Sequence, residues 1–275
     1  MMPVVLGRTT GIIFPENNSV DALCRPVILL RNFCGIALDF FRYCYISNIM
    51  NKPPAQKVNG AIHAMELLQE LATEQAPVSG LELSRRLDLS PVQVNRLLKT
   101  LAYLGFAYRT ASRKYAAGPA MHVLAVQSMA SSGLLRAAYE SLEDLRKQVR
   151  TVALGVLWKG KVCYLFHRSR GQGMGLGLNP QFLYDAWSSS IGRALLAEQA
   201  DAVVPEGMEG VLEEIRRQCF AAVAFPDHYS LAVTIGTPPF AAIAASGIVR
   251  EEEIRPMVEK LWKHASEIER KIKHI

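Results

Sequence analysis

The spacing of apolar residues between positions 58 and 105 predicts three consecutive helices. In NGAIHAMELLQELATEQ, helical spacing relates five apolar positions: Ile62, Met65, Leu68, Leu71 and Ala72. The second helix follows Ser79, a favourable N-cap, and places Leu83 and Leu87 four residues apart. The third lies in LDLSPVQVNRLLKTLAYLG and has the clearest boundaries of the three.

The third predicted helix has Ser90 as its N-cap, Pro91 in its first turn and Gly105 as its stop. At 100° per residue, one face collects its large aliphatic residues: Val94, Leu97, Leu98, Leu101 and Leu104. The opposite, outer face comprises Val92, Asn95, Arg96, Lys99 and Tyr103. On an isolated helix such a face is usually only a solvated surface, so the neighbouring elements decide its role.

Those neighbours predict a winged helix-turn-helix. Residues 88–90 alone separate the second and third helices, and Asp88 tolerates the left-handed backbone that such a turn needs. After Gly105, strand-forming aromatic residues flank a tip with Arg109, Arg113 and Lys114, which predicts a basic wing suited to phosphate contact. The outer face is therefore predicted to recognise bases, since it combines an amide, a guanidinium and an apolar side chain.

The distribution of charge favours double-stranded DNA as the partner. The chain has a formal charge of +6, and positions 76–118 carry seven basic and two acidic residues, a net charge of +5. Most of the excess therefore falls in the predicted helix-turn-helix and wing. The predicted DNA-contacting residues are Ser90, Val92, Gln93, Asn95, Arg96, Lys99, Arg109, Arg113 and Lys114.

The second half of the chain changes to strand-like spacing after two predicted helices at residues 119–127 and 134–149. TVALGVLW and KVCYLFH predict a hairpin, and SLAVTIG and FAAIAASGIV predict further strands. Helices are predicted for three segments: AWSSSIGRALLAEQ, GVLEEIRRQ and residues 251–273. We expect an α+β domain in which helices flank an antiparallel sheet and leave a cup for a small ligand on its other face.

Catalytic and metal chemistry are not indicated. The five cysteines are an odd number without a C-x-x-C pair, which favours neither a disulfide framework nor a zinc site, and no cofactor is expected. Cys163 and His167 lie four apart in a predicted strand and would share a face, but no orienting carboxylate or oxyanion site accompanies them. We interpret Cys163 as structural and expect no enzyme.

The predicted effector site lies beside the GQGMGLG segment, residues 171–177. No helix follows this segment, so it indicates a loop over the cup rather than a phosphate loop. Ser188 to Ser190 precede Gly192 at a predicted helix start, which favours a carboxylate, although N-capping alone is an equal alternative. The predicted effector-binding residues are Met174, Trp187, Ser188, Ser189, Ser190 and Gly192.

The first 49 residues show weak periodicity and no secretory signal, and they are expected to be an extension outside the fold. The longest apolar stretch is interrupted by Arg31, Asp39 and Arg42 and does not predict a membrane span. We therefore expect no membrane partner, and we expect a cytoplasmic location.

Several motifs carry a family resemblance: AIHAMELLQELA, LSRRLDLSPVQVNRLLKTLAYLGF and KYAAG, then SIGRALLAE, CFAAVAF and LAVTIGTPPFAAIAASGIV. With these the chain resembles the IclR-type bacterial transcriptional regulators. The resemblance covers roughly Val58 to the C-terminus and implies a winged helix-turn-helix domain at 56–118, a linker helix at 119–135 and a GAF-like effector-binding domain at 136–275, which follow the expected extension at 1–55. It also implies a homodimer or a dimer of dimers.

Three functional hypotheses follow. The leading one is a transcriptional regulator in which a small organic or aromatic acid changes the relative placement of two DNA-binding heads. A hydrolase or transferase tethered to nucleic acid is the second, and it requires a nucleophile, a base and an orienting group. The third is a DNA-binding protein without a ligand, which gives the second domain no role.

Overall fold

A computed structural model describes residues 55–169, 183–200 and 202–272. The chain folds as two compact units, Met50–Gly133 and Leu134–Ile275. The predicted N-terminal extension, apart from residue 55, and the predicted loop at 171–177 with Met174 lie outside the described residues. Within the described parts, no helix combines the length and apolar character needed to cross a membrane.

The N-terminal unit is a three-helix group followed by a hairpin and a fourth helix. Its elements are α1 Asn59–Thr73, α2 Gly80–Arg86, α3 Pro91–Tyr103, β1 Ala107–Arg109, β2 Tyr115–Ala117 and α4 Pro119–Ser132. Their shared core contains Leu67, Leu71, Leu83, Val94, Leu98 and Leu101, with Ala107 and Tyr115 from the hairpin. Val78 bridges to Tyr115, which ties the chain before α2 to the hairpin.

Local sequence rules account for the boundaries around α2 and α3, as predicted. Ser79 Oγ accepts the N–H of Glu82 at 3.1 Å, and Ser90 Oγ accepts the N–H of Gln93 at 3.2 Å. Asp88 takes a left-handed φ of 51° in the turn, and Gly105 has a φ of 77° after α3. These caps and turns fix where the helix-turn-helix begins and ends.

The predicted apolar face of α1 is wrong at three positions. Leu67 and Leu71 are its buried residues, whereas Met65 is 67% exposed and Ile62 and Ala72 are also exposed. At 100° per residue, the exposed apolar positions lie on the side of the helix opposite Leu67 and Leu71. Leu104, expected to pack, is 54% exposed because it is the C-cap residue beyond the end of α3.

The C-terminal unit is an α+β domain. Its elements are α5 Leu134–Arg146, β3 Thr151–Trp158, β4 Lys161–Ser169, β5 Tyr184–Asp185, a 3-10 turn Ala186–Ser188, α6 Ser190–Ala197, α7 Val211–Gln218, β6 Ala221–Ala224, β7 Tyr229–Gly236, β8 Pro239–Ile248 and α8 Ile254–Ile272. The strands form a sheet in the order β5-β4-β3-β8-β7-β6, and every neighbouring pair is antiparallel. The predicted antiparallel sheet with flanking helices is confirmed.

Helices pack on both faces of this sheet, which corrects the expectation of one open face. Helices α5 and α8 cover one face, and the core between them and the strands contains large residues such as Leu142, Leu154 and Ile243. Helices α6 and α7 cover the other, where the strands present mainly alanine, for example Ala232 and Ala242. Because alanine fills little volume, space for a ligand remains on the α6 side even though helices pack there.

Candidate functional site

The outer face of α3 is available to a partner. Val92 is 72% exposed and Tyr103 90%, and Asn95, Arg96 and Lys99 are exposed as well. Arg96 and Lys99 have no carboxylate partner within the described chain. Two unpaired cations beside an amide and an apolar side chain provide the groups that contact phosphates and base edges.

Three polar side chains of the helix-turn-helix instead support its local structure. Ser90 caps α3, and Gln93 Nε2 lies 2.6 Å from Nδ1 of His63 on α1 in a partly buried contact. Arg86 is bound by the carboxylates of Glu70, Glu74 and Glu82, and hydrogen bonds to Glu74 and then Glu82 raise the pKa of its guanidinium. Arg86 therefore adds little to the basic surface, since its charge is locally balanced.

The wing has a fixed tip. Strands β1 and β2 pair Arg109 with Tyr115, and the guanidinium of Arg109 lies 5.9 Å from the centre of the Tyr115 ring. Thr110 Oγ1 accepts the N–H of Lys114 at 3.1 Å, and Arg113 adopts a φ of 62° in the turn. Arg113 and Lys114 are exposed at this tip, so the wing presents cations from a defined turn.

The C-terminal unit contains a cavity of about 170 Å³ between the sheet and the start of α6. The described residues that line it are Thr151, Ala153, Tyr164, His167, Ser188, Ser189, Ser190, Phe225, Ser230, Ala244 and Ser246. None of these is an aspartate, glutamate, lysine or arginine. A ligand here meets hydroxyl groups, one imidazole and apolar walls.

A bulge in β4 decides which of its side chains reach the cavity. Leu154 pairs with Phe166 and Gly155 with Tyr164, so Leu165 is an extra residue without a partner across β3. Tyr164 and His167 consequently share the cavity face, and their ring centres are 5.2 Å apart.

The predicted pairing of Cys163 with His167 on one face is therefore wrong. Cys163 pairs with Val156, which packs toward α5 and α8, whereas His167 pairs with Ala153 on the cavity side. Burial also raises the pKa of the Cys163 thiol, which disfavours the thiolate. This arrangement does not form a thiol–imidazole pair.

The serine hydroxyls at the start of α6 are already hydrogen-bonded to neighbours. Tyr164 Oη lies 3.0 Å from Ser189 Oγ, and Ser190 Oγ lies 2.9 Å from Ser230 Oγ. Ser189 Oγ also accepts the N–H of Gly192 at 3.2 Å, so the N-capping alternative holds for Ser189. A hydroxyl has one donor and two acceptor positions, so each hydroxyl of these pairs retains at least one position that a ligand oxygen or hydroxyl can use.

The ionisable groups of the cavity are neutral at ordinary pH. The surrounding protein lowers the pKa of His167 and raises that of Tyr164, because it disfavours the charged form of each. The imidazole of His167 opens toward the cavity and offers one donor and one acceptor.

Comparison with known proteins finds relatives for this chain. Residues 61–111 match the IclR helix-turn-helix domain. The chain is 28% identical over 178 residues to the HTH-type transcriptional regulator BhcR of Paracoccus denitrificans, an alignment that covers 63% of this chain and 62% of that protein. The N-terminal unit therefore contains a helix-turn-helix domain of the IclR type.

Solved IclR structures share its fold. An IclR family transcriptional regulator from Brucella abortus aligns with a TM-score of 0.62 at 18% identity, over 79% of this chain and 94% of that one. An IclR homolog from Microbacterium hydrocarbonoxydans, solved with 4-hydroxybenzoate, aligns with a TM-score of 0.59 at 19% identity, over 78% and 100%. The IclR fold accordingly comprises a helix-turn-helix domain and an α+β domain with a curled antiparallel sheet.

The predicted effector residues lie in different places. Ser188, Ser189 and Ser190 line the cavity. Gly192 is buried inside α6, where a Cβ would lie 2.1 Å from the carbonyl oxygen of Ala186, so its role is close packing. Trp187 packs half-buried against the α6 side of the sheet and is not among the described lining residues.

Sequence reasoning missed the cavity residues that come from the sheet and its loops: Thr151, Ala153, Tyr164, His167, Phe225, Ser230, Ala244 and Ser246. One pattern was available to find two of them. Ser230 and Ser246 interrupt apolar strands at positions that face the alanine side of the sheet, where a buried hydroxyl needs a partner.

Proposed function

We propose that this protein is a transcriptional regulator of the IclR type that binds operator DNA with α3 and the wing, and that a small organic acid in the cavity controls it. The observation that carries the proposal is the exposed outer face of α3, which follows a helix-turn-helix turn and precedes a basic wing. The match to the IclR helix-turn-helix domain and the similarity to a transcriptional regulator support it.

The roles on the DNA follow from side-chain chemistry. Asn95 and Arg96 are assigned to base edges, since amides and guanidinium groups form paired hydrogen bonds there, and Val92 to a thymine methyl. Phosphate contact is assigned to Lys99, Arg109, Arg113 and Lys114. Ser90 and Gln93 act by fixing the start of α3, because their side chains already have local partners.

The size and lining of the cavity support a small acid as the effector. Its volume of about 170 Å³ slightly exceeds the roughly 150 Å³ of an apolar cavity that binds benzene. Hydroxyl groups and the start of α6 surround the space and offer donors to a carboxylate. The Microbacterium homolog was solved with 4-hydroxybenzoate, an acid of this size.

A homodimer is part of the same proposal. Helix α4 has no buried residue, and Val123, Leu124 and Val126 are 55%, 57% and 66% exposed. Ile62 and Met65 are exposed on α1. Exposed apolar surface of this extent favours a contact with a second copy of the chain. The two DNA-binding units of such a dimer then contact two half-sites of the operator, and a dimer of dimers repeats this arrangement.

Binding to cognate and random DNA tests the DNA-recognition roles. Asn95→Ala and Arg96→Ala should each cost roughly 1–3 kcal/mol on cognate DNA and much less on random DNA. Arg113→Ala and Lys114→Ala should weaken both nearly equally, because phosphates carry no sequence. Fluorescence anisotropy titrations on labelled duplexes measure all four losses.

Arg136→Ala is the charge-matched control, since Arg136 is exposed on α5 in the other unit. It should leave both affinities unchanged. Equal losses on both DNAs for Asn95→Ala and Arg96→Ala would contradict base recognition by the outer face of α3 and leave that face a phosphate contact.

A further inference from the structure

Phe225 has a distinct position in the cavity wall. It follows β6 and is 42% exposed, and it is the one purely hydrocarbon ring among the described residues that line the cavity. The other rings there, Tyr164 and His167, each carry a polar group. Phe225 therefore offers the flat apolar surface on which a ligand ring can stack.

The Phe225 ring stacks on the ring of a neighbouring residue. Its plane lies within 8° of the His228 ring with the centres 4.8 Å apart, so the two are stacked. Phe225 donates its backbone N–H to the carbonyl of His228 at 2.7 Å, which closes a hairpin with Pro226 and Asp227 at its turn. Proline limits the backbone freedom of that turn.

Asp227 and Arg150 in turn hold His228, on which the Phe225 ring stacks. His228 Nδ1 lies 2.6 Å from Oδ1 of Asp227, and Arg150 Nη1 donates to Oδ2 of the same carboxylate at 3.1 Å. The contacts with His228 and Arg150 lower the pKa of Asp227, so the carboxylate stays charged. A chain of contacts thus runs from Arg150 before β3 to the cavity wall.

We propose that Phe225 is the specificity-determining residue of the cavity: its supported ring selects acids with a flat ring over saturated acids of the same size, and His228, Asp227 and Arg150 position it. This inference rests on the proposed function, because it takes the cavity as the effector site. We call the supported Phe225 ring the platform. Because its neighbours already restrict the ring, stacking of a planar ligand on it costs little additional side-chain entropy.

A matched pair of acids tests the platform. Benzoate and cyclohexanecarboxylate have the same carbon framework and charge, but only benzoate is flat. Isothermal titration of the full-length protein should give benzoate a dissociation constant about two- to tenfold lower than that of cyclohexanecarboxylate. Phe225→Leu keeps an apolar side chain without a flat face, so it should bring this ratio to about one.

Variants of the residues that hold Phe225 distinguish an effect on ligand preference from an effect on the stability of the fold. Arg150 and Asp227 are about two-thirds exposed, so their ion pair adds little stability and Asp227→Asn should keep the melting temperature. The same variant should lower the benzoate preference part of the way toward one. Phe240→Leu is the control, since Phe240 is also exposed but does not belong to the described lining.

The outcomes distinguish the two proposals. A wild-type protein that binds cyclohexanecarboxylate or propionate as tightly as benzoate overturns the platform and leaves the effector role of the cavity intact. An unchanged ratio in Phe225→Leu has the same meaning. Binding of none of the three acids overturns both the platform and the acid effector.

Discussion

The imidazole of His167 faces a group of hydroxyls in a cavity without a charged residue in its described lining. The surrounding protein lowers its pKa, so the ring is neutral near pH 7. Because the pKa is lower in the folded chain than in the unfolded one, this residue's contribution to stability decreases as the pH falls below about 6.5. A bound carboxylate reverses the preference, since it stabilises the protonated ring.

Acid binding should therefore tighten as the pH falls. Between about pH 7.5 and 5.5 we expect the affinity for benzoate to rise by about three- to tenfold, with uptake of a proton on binding. Titration calorimetry in two buffers of different ionisation enthalpy measures both quantities. His167→Asn should remove the pH dependence and Ser246→Ala should keep it; a wild-type affinity that is constant over this range would contradict the assignment.

The residues that sequence reasoning located are those governed by local rules. Ser79, Ser90, Asp88 and Gly105 have the predicted roles because caps and left-handed turns depend on a few neighbouring residues. Strand alternation placed Cys163 and His167 on the same face, which is wrong. The extra residue of the bulge lies between them and reverses the alternation of faces, and the sequence of the strand gives no sign of the bulge.

Among the elements, α4 is unusual because its apolar residues surround the helix and none is buried. A helix of this composition needs cover from another surface. We expect Leu124→Glu to raise the dimer dissociation constant by at least about tenfold, since a carboxylate would be desolvated in the contact. Sedimentation equilibrium measures it.

Val203→Glu controls for the added charge, because Val203 is 84% exposed in a connection outside the helices. It should leave the dimer unchanged, and neither variant should lower the helical circular dichroism. If Leu124→Glu remained as tightly dimeric as the wild type, α4 would not be the contact.

Helical periodicity identified α1 but not which of its faces packs in the core. Both the Leu67–Leu71 side and the Ile62–Met65 side are apolar, and a contact with another chain leaves the same pattern as a contact within one chain. The lining of the cavity could not be predicted from the sequence for a related reason. It joins residues from β3, β4, β7 and β8, and these come close together only because of the strand order in the sheet. Ser188 to Ser190 were predictable because they adjoin a helix start.

For the whole molecule, operator and effector binding are linked by thermodynamics. If benzoate changes operator affinity by a given factor, about 5- to 150-fold in typical cases, operator must change benzoate affinity by the same factor. Calorimetric titration of benzoate with and without operator duplex, set against anisotropy titrations of the duplex, compares the two factors. A random duplex serves as the control and should have a smaller effect.

Ser190→Ala should weaken benzoate binding and leave operator affinity without ligand unchanged, because Ser190 is buried at the cavity in the C-terminal unit. Identical benzoate affinities with and without operator, for an acid that releases the DNA, would place the switch outside the cavity.

The cavity floor has a practical consequence for engineering. Ala153, Ala244, Ser230 and Ser246 project from three strands whose opposite face holds the large core residues. Enlarging a floor side chain therefore fills empty space and leaves the main core as it is. A small library at Ala153, Ala244 and Ser246 would change which acids the protein binds at little risk to folding, which makes it a starting point for biosensors evolved toward new acids. Ser230 is best retained in such a library, because its hydroxyl bonds the buried Ser190.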